Sequence, residues 1–317
     1  MIKFSNVSKR YSDGTHAVND LDLEIEDGEI FVLIGPSGCG KTTTLKMMNR
    51  LIDVTDGTIF VDGKEISNYD IHELRWEIGY VLQQIALFPH MTIEENIAVV
   101  PEMKKWGREK TRSRVDELLK MVGLDPGVYR TRKPDELSGG QQQRIGVARA
   151  LAADPRLILM DEPFSALDPI SREKLQDDIL DLQRTIKKTI VFVTHDMQEA
   201  LKLGDRICIM KEGKIVQVGT AQEIIESPAN EFVKEFVGIE GRLDERVDLE
   251  PLVESSVGHD TSDSPVSAVS SLKLVLEALS RKDELPVEKD GQIIGMINRQ
   301  KIVQHLAERM QERGQGL

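Results

Sequence analysis

The 317 residues contain only two cysteines, Cys39 and Cys208, with no close spacing between them. That usage supports neither a disulfide framework nor a zinc site, and a reducing compartment is the simple reading. Long hydrophobic runs are also missing. The longest, such as residues 30–34 and 190–193, fall far short of the ~20 apolar residues that span a bilayer. The opening Met1-Ile2-Lys3-Phe4 lacks the charged start and apolar stretch of a signal peptide. Service to a membrane would therefore run through a partner. Positive charge is not in excess: the net charge is −13, which argues against a general nucleic-acid binder, because phosphate backbones reward Lys and Arg. Neither an internal repeat nor a low-complexity tract interrupts the chain.

What is present is an ordinary globular composition, 40% hydrophobic and 30% charged, long enough for one large domain and a smaller one. From residue 1 to about 240, short β-branched runs alternate with helical stretches. Residues 30–34, 78–82, 157–160, 190–193 and 206–210 predict strands, several buried on both faces, while 41–50 and 141–153 predict helices. The alternation predicts an α/β domain with a mainly parallel sheet. Segments 2–4, 18–25 and 59–61, broken by Asp-Gly pairs, predict hairpins and hence a mixed sheet at the N-terminus. Residues 241–265 are acidic and weakly patterned, which predicts a linker. Beyond it, 266–280 predicts a helix, 285–287 and 292–297 a hairpin, and 299–311 a closing helix. Residues 266–317 thus form a small α/β unit, marginal as an independent fold.

Gly35-Pro36-Ser37-Gly38-Cys39-Gly40-Lys41-Thr42 matches the P-loop pattern in full, after a strand and at the opening of a helix. Glycines let backbone N–H groups turn inward on phosphate oxygens, and the helix start adds favourable partial charge. Lys41 supplies a point charge to the β and γ phosphates, the Thr42 hydroxyl suits Mg²⁺, and Thr43 follows on the same turn. Leu157-Ile158-Leu159-Met160-Asp161-Glu162 is an apolar strand ending in two carboxylates. Asp161 is placed for the metal shell and Glu162 for a general base that orients and deprotonates water. Ser138-Gly139-Gly140-Gln141 makes a second anion-binding helix start. One bound nucleotide does not need two such starts, so a second subunit is implied; a plain N-capped helix is the alternative.

With these motifs in order, the sequence resembles an ABC ATPase over residues 1 to about 240. The resemblance implies a P-loop ABC ATPase domain with a mixed N-terminal sheet, a parallel core sheet and a helical subdomain. It implies that Tyr11 stacks on adenine, and that Gln83, preferred over Gln84, reaches the metal and the attacking water. It implies further that His195 contacts the γ-phosphate and that Ser165-Ala166-Leu167-Asp168 crosses between subunits. Two copies would sandwich ATP and Mg²⁺ head to tail at the cytoplasmic face of the membrane. They would drive separate permease subunits fed by an extracytoplasmic solute-binding protein or domain.

Flanking residues narrow the resemblance. Residues 85–92 with Glu95-Asn96, and 161–169, resemble import ATPases. Residues 47–52 and 138–147 resemble the osmoprotectant branch, which takes up glycine betaine, carnitine or choline. An amino-acid or polyamine importer is the alternative. A non-transport ABC ATPase lacks its usual second ATPase domain or coiled coil here, and a P-loop kinase has no use for residues 137–141. The tail is similar to a single CBS unit. Such units pair to bind adenine nucleotides or to respond to ionic strength, and a ligand-free dimerisation tail is the competing reading.

Overall fold

The structure, a computed structural model, describes residues 2–83, 86–165, 167–238, 246–253, 265–289, 291–302 and 304–305. The chain divides into two units, Met1–Val233 and Lys234–Leu317.

In the first unit ten strands form two sheets. They are β1 (Ile2–Arg10), β2 (His16–Ile25), β3 (Ile30–Ile34), β4 (Asp56–Val61), β5 (Lys64–Glu65), β6 (Ile78–Val81), β7 (Leu157–Asp161), β8 (Thr189–Thr194), β9 (Arg206–Lys211) and β10 (Lys214–Gly219). The first sheet has the order β2-β1-β4-β5, and every pairing in it is antiparallel. This corrects the expected mixed N-terminal sheet. The β4–β5 turn, Asp62-Gly63, holds positive φ at both central residues (50° and 75°), the mirror-image turn that suits a tight hairpin. Two of the three pairings, β1–β2 and β4–β5, join consecutive strands through short turns, which can only leave neighbours antiparallel. The mixing lies in the second sheet, β10-β9-β3-β8-β7-β6. Its core pairings are parallel, while β10 folds back antiparallel through Glu212-Gly213.

Strands β3, β7 and β8 are buried at every residue, as continuous apolar runs require when both faces are covered. Register then decides where the chemistry falls. Ile34 pairs with Thr194 and Asp161 with Val193, so the strands end level. The segments after β3, β7 and β8 emerge side by side at the carboxyl edge, where open α/β sheets bind ligands.

Helices Ile93–Met103, Arg108–Met121 and Gly139–Leu151 pack together beside this sheet, as expected for a helical subdomain. Thr92 and Glu95 close the first of them with a capping box. Asn96, fully buried, donates to the carbonyls of Phe88, Met91 and Thr92 and accepts from the Phe88 N–H at 2.8 Å. One amide thus satisfies the backbone of a tight loop and fixes the half-exposed Phe88 ring.

In the second unit, Val266–Ser267 runs parallel to Glu284–Lys289, which pairs antiparallel with Gln292–Asn298. The expected hairpin is present. The expected helix over 266–280 is corrected: Val266–Ser267 and Val269–Ser271 are strands, and the helix is Leu272–Arg281. Burial of Val266, Ala268 and Ser270 alternates with exposure of Ser267 and Val269, a period of two that a helix does not produce. The expected 241–265 linker also changes character. Arg246–Asp248 pairs with Val269–Ser271, and Leu249 is fully buried in a core with Val275, Leu279, Leu285, Val287 and Ile297. Most of the rest of that linker lies outside the described residues, as does most of the expected 299–311 helix, although residues 299–302 are helical.

Where the chain is cut should therefore matter. Ending it after Gly238 is expected to hold basal ATPase activity within about twofold, as separate domains allow. Ending it at Pro265 strips the cover from Leu249, and that product is expected to aggregate. Gel filtration and phosphate release check both; a dead 1–238 chain shows the second unit to be required for folding.

Candidate nucleotide site

The loop after β3 is shaped by where its backbone goes. Gly38 and Gly40 both have left-handed φ, +79° and +102°, a conformation open to glycine at little cost. Gly35, Cys39 and Gly40 are buried, while Pro36, Ser37 and Gly38 face out. The Cys39 carbonyl accepts from the Gly213 N–H at 3.1 Å, tying the loop to the β9–β10 turn. Burial pushes the Cys39 thiol upward, and Lys41 opposes this. Lys41 Nζ donates to the Gly35 and Pro36 carbonyls at 2.7 and 3.1 Å, inside the curve of the loop where phosphates would lie. Thr42 and Thr43 are half-buried on the first turn of the helix Lys41–Met48.

Two carboxylates face this loop. Asp161 is buried; its Oδ1 accepts from Thr42 Oγ1 at 2.9 Å and its Oδ2 from the Tyr80 hydroxyl at 3.3 Å. Burial first, and the Asp161 charge second, push the Tyr80 phenol well above its ordinary value, so it is a donor at any working pH. Glu162 turns the chain sharply, with φ +44° and its N–H donating to the Val193 carbonyl at 3.0 Å. Non-glycine residues seldom hold that φ, and strain of this kind gathers at functional positions. Its Oε2 accepts from Gln83 Nε2 at 3.2 Å and meets His195 Nδ1 at 3.1 Å. Gln83 and His195, expected at the metal and the γ-phosphate, are therefore both gathered on the candidate base.

Behind His195 lies a buried arrangement that sequence reasoning missed. The Thr194 hydroxyl donates to Glu199 and accepts from the Asp196 N–H. Burial raises the Glu199 carboxyl above its usual range. Arg172 approaches Glu199 at 3.9 Å and donates to the Leu167 carbonyl at 3.2 Å. The Asp196-to-Glu199 spacing at a helix start was the available signal. Tyr80 was also missed, since a tyrosine on a strand reads as core.

Ser138 forms a capping box with Gln141, and Gln141 Nε2 donates to the Tyr129 hydroxyl at 3.0 Å. A Cβ on Gly139 would meet nothing within 4 Å, whereas one on Gly140 would meet Ser171 at 3.4 Å, so Gly139 stands open and Gly140 packs on the 167–171 segment. There Asp168 caps the helix Pro169–Ile186 by accepting from the Ser171 N–H at 3.0 Å; hydrogen bonds from the Ser171 hydroxyl first, and its N–H second, hold the carboxyl below the usual range. Among the described residues, no hydrogen bond joins this second cluster to Lys41, Asp161 or Glu162. Tyr11, 40% exposed, begins the turn into β2, whose Ala17 carbonyl packs on Gly40. Gln84 and Ala166 lie outside the described residues.

Chemically, the first cluster offers a cationic loop and hard oxygens from Thr42 and Asp161. The described residues hold no cluster of three or more His, Cys, Asp or Glu fit for a metal. An ion here would take most of its shell from phosphate and water, as Mg²⁺ does. No helix among the described residues is long and apolar enough to cross a membrane.

The ABC transporter family model matches residues 18–165. The glycine betaine/carnitine/choline transport ATP-binding protein OpuCA of Bacillus subtilis (strain 168) is 61% identical over 250 residues, 79% of this chain and 66% of that protein. The carnitine transport ATP-binding protein OpuCA of Listeria monocytogenes serotype 1/2a (strain 10403S) is 51% identical over 296 residues, 93% of this chain and 74% of that protein. The chain thus spans about two thirds to three quarters of the length of these relatives. Among solved structures, a dimeric post-hydrolysis state of the ATP-binding cassette MJ0796 with ADP and Pi matches 70% of this chain and 99% of its own, at TM-score 0.63 and 37% identity. This chain belongs to the ATP-binding proteins of ABC transporters, in the branch represented by these two relatives.

Proposed function

We propose that the chain hydrolyses ATP to drive import of a quaternary-amine osmoprotectant through separate permease subunits. The observation that carries the ATPase reading is Glu162, joined by Gln83 and His195 on one oxygen and set beside a complete P-loop. Glu162 takes a proton from the attacking water, and Gln83 and His195 fix its orientation. Lys41 and the Gly35–Thr43 backbone hold the phosphates, and Tyr11 stacks on the adenine. Thr42 and Asp161, together with Gln83, would hold Mg²⁺, which when bound would neutralise phosphate charge. The remaining contribution is positioning, as phosphoryl transfer requires.

A homodimer completes the site. Ser138, Gly139, Gly140 and Gln141 make no hydrogen bond to their own P-loop cluster among the described residues, which supports their serving a partner's nucleotide, with Asp168 crossing beside them. The MJ0796 cassette is itself described as a dimer. The permease meets an apolar groove of about 510 Å³ walled by Leu51, Trp76, Tyr80, Leu82, Phe88 and Val99. Leu51 and Phe88 are 51% and 41% exposed, surface that an apolar helical segment would cover. The chain then works at the cytoplasmic face of the membrane, with an extracytoplasmic solute-binding protein or domain as the further partner. The solute class rests on the relatives' names. The second unit we read as CBS-like, pairing across the dimer and open to an adenine nucleotide.

Uptake of labelled glycine betaine, carnitine and choline at high osmolarity tests this. Deletion is expected to abolish uptake of at least one, restored by wild type and not by Glu162→Gln. Unchanged uptake in cells without a redundant carrier overturns the solute class.

Lys41→Ala tests the phosphate role separately. Removing a charge aimed into the loop is expected to weaken ATP binding roughly a hundredfold, the scale of a charge-assisted contact. Equilibrium binding of labelled ATP checks it, and unchanged affinity removes Lys41 from the phosphate site.

A further inference from the structure

Tyr80 occupies two places at once. Its ring forms part of the groove wall between Trp76, Leu82 and Phe88. Its hydroxyl donates to Asp161 Oδ2 at 3.3 Å. The ring is half-buried and packs against the domain core, so the side chain is a short rigid strut with two χ angles to set. Among the described residues that line the groove, no other hydrogen-bonds Asp161 or Glu162. The geometry of β6 explains how both ends are reached. Tyr80 pairs with Leu159 and Val81 with Met160 on β7, so the phenol lies one residue behind the strand end and reaches forward to the carboxylate. Gln83, three residues on, reaches Glu162. Strand β6 and the segment that leaves it therefore supply a contact to each of the two adjacent carboxylates.

We propose that Tyr80 is a positioning residue for Asp161, and that it carries groove occupancy to the metal-binding carboxylate as a route separate from Gln83. The coupling half rests on the groove's being the permease surface. Asp161 offers one oxygen to Thr42 and the other to Tyr80. With both donors in place, the carboxylate plane is fixed and its free lone pairs are directed at the metal shell. A segment seated in the groove presses on the ring, and a sub-ångström shift of the ring changes a hydrogen bond that is already long. Metal affinity, rather than nucleotide affinity, is the quantity such a shift alters.

The test uses the full-length chain and Tyr80→Phe, which keeps the ring and removes one oxygen. Half-maximal ATPase activity is expected to need about threefold to tenfold more Mg²⁺, the scale of one ordinary hydrogen bond, because this one is long at 3.3 Å. ATP binding in EDTA is expected to stay at the wild-type level. An unmoved Mg²⁺ titration overturns the positioning role. So does a Tyr80→Leu variant that shifts the titration when Tyr80→Phe does not, because packing alone would then be the cause.

The coupling half is read on the ATPase co-purified with its permease from membranes. Binding of the permease is expected to change the Mg²⁺ requirement of wild type at least twofold and that of Tyr80→Phe by less. An equal change in both overturns the link while leaving the groove assignment intact. Leu51→Glu, at an exposed groove position, is expected to abolish co-purification. Co-purification that survives it overturns the groove assignment and the link with it, whereas the Mg²⁺ titration of the isolated chain judges the positioning role alone.

Discussion

Glu162→Gln is expected to lower ATP turnover by about a hundredfold to ten-thousandfold, the range for loss of a general base, with ATP binding retained. Glutamine has the shape of glutamate, so the +44° φ and the N–H bond to the Val193 carbonyl survive the change. The pairing with Gln83 and His195 also survives in part, since the amide oxygen still accepts from Gln83 at the position now held by Oε2. What is lost is the ability to take a proton. Binding without turnover then accumulates the ATP-bound dimer, visible by gel filtration in the presence of Mg²⁺-ATP. Single-turnover phosphate release checks the rate, and a rate within tenfold of wild type removes Glu162 from the base role. A rate loss accompanied by lost ATP binding points instead to a damaged turn, because the strained backbone at 162 is shared with the site.

The parts of this site that are legible in the sequence are those where local chemistry and local structure coincide. The P-loop is one contiguous stretch whose glycines serve the same turn that binds phosphate. Asp161 and Glu162 end an apolar run that has only one way to lie in a covered sheet. Register does the rest, since β3, β7 and β8 end level. What escapes a sequence reading is long-range or conditional. Nothing near Tyr80 in the sequence says that its hydroxyl meets a carboxylate 81 positions away. Thr194 and Glu199 look like an ordinary helix entry until Arg172 arrives from another element. The N-terminal sheet differs from expectation because short β-branched runs fix strand identity and leave the partner open. Residues 266–280 mislead because Val266 and Val269 are spaced as on a helix, while the alternation of Val266, Ala268 and Ser270 is the weaker signal. Leu249 shows the limit of composition: an acidic stretch can still carry one residue that belongs to a core.

The second large effect is expected from Gly40→Ala, because the added methyl has nowhere to go. Gly40 caps the helix Lys41–Met48 with φ +102° and ψ −1°. A Cβ there would stand 2.3 Å from the Ala17 carbonyl oxygen and 3.3 Å from Val18 Cγ2. The first of these is backbone in β2, so no side-chain rotation relieves it. The Gly40 carbonyl is in turn held by the Thr44 N–H and hydroxyl at 2.8 and 3.0 Å, so the peptide cannot swing away without breaking the first helical turn. Either β2 moves off the loop or the loop leaves its phosphate-binding shape. The expected cost is about 2–4 kcal/mol, combining backbone strain with overpacking, seen as a thermal midpoint lower by roughly 5–10 °C. ATP affinity is expected to fall by more than about tenfold, since a displaced Lys41 loses its aim. Gly38→Ala separates the two causes. Gly38 has φ +79°, but a methyl added there would meet nothing within 4 Å, so it carries strain without collision, costing about 1–2 kcal/mol. Equal losses in the two variants would mean that glycine's backbone freedom alone sets the loop. A markedly larger loss at Gly40 means that the P-loop is shaped by the strand packed against it, and that β2 is part of the nucleotide site.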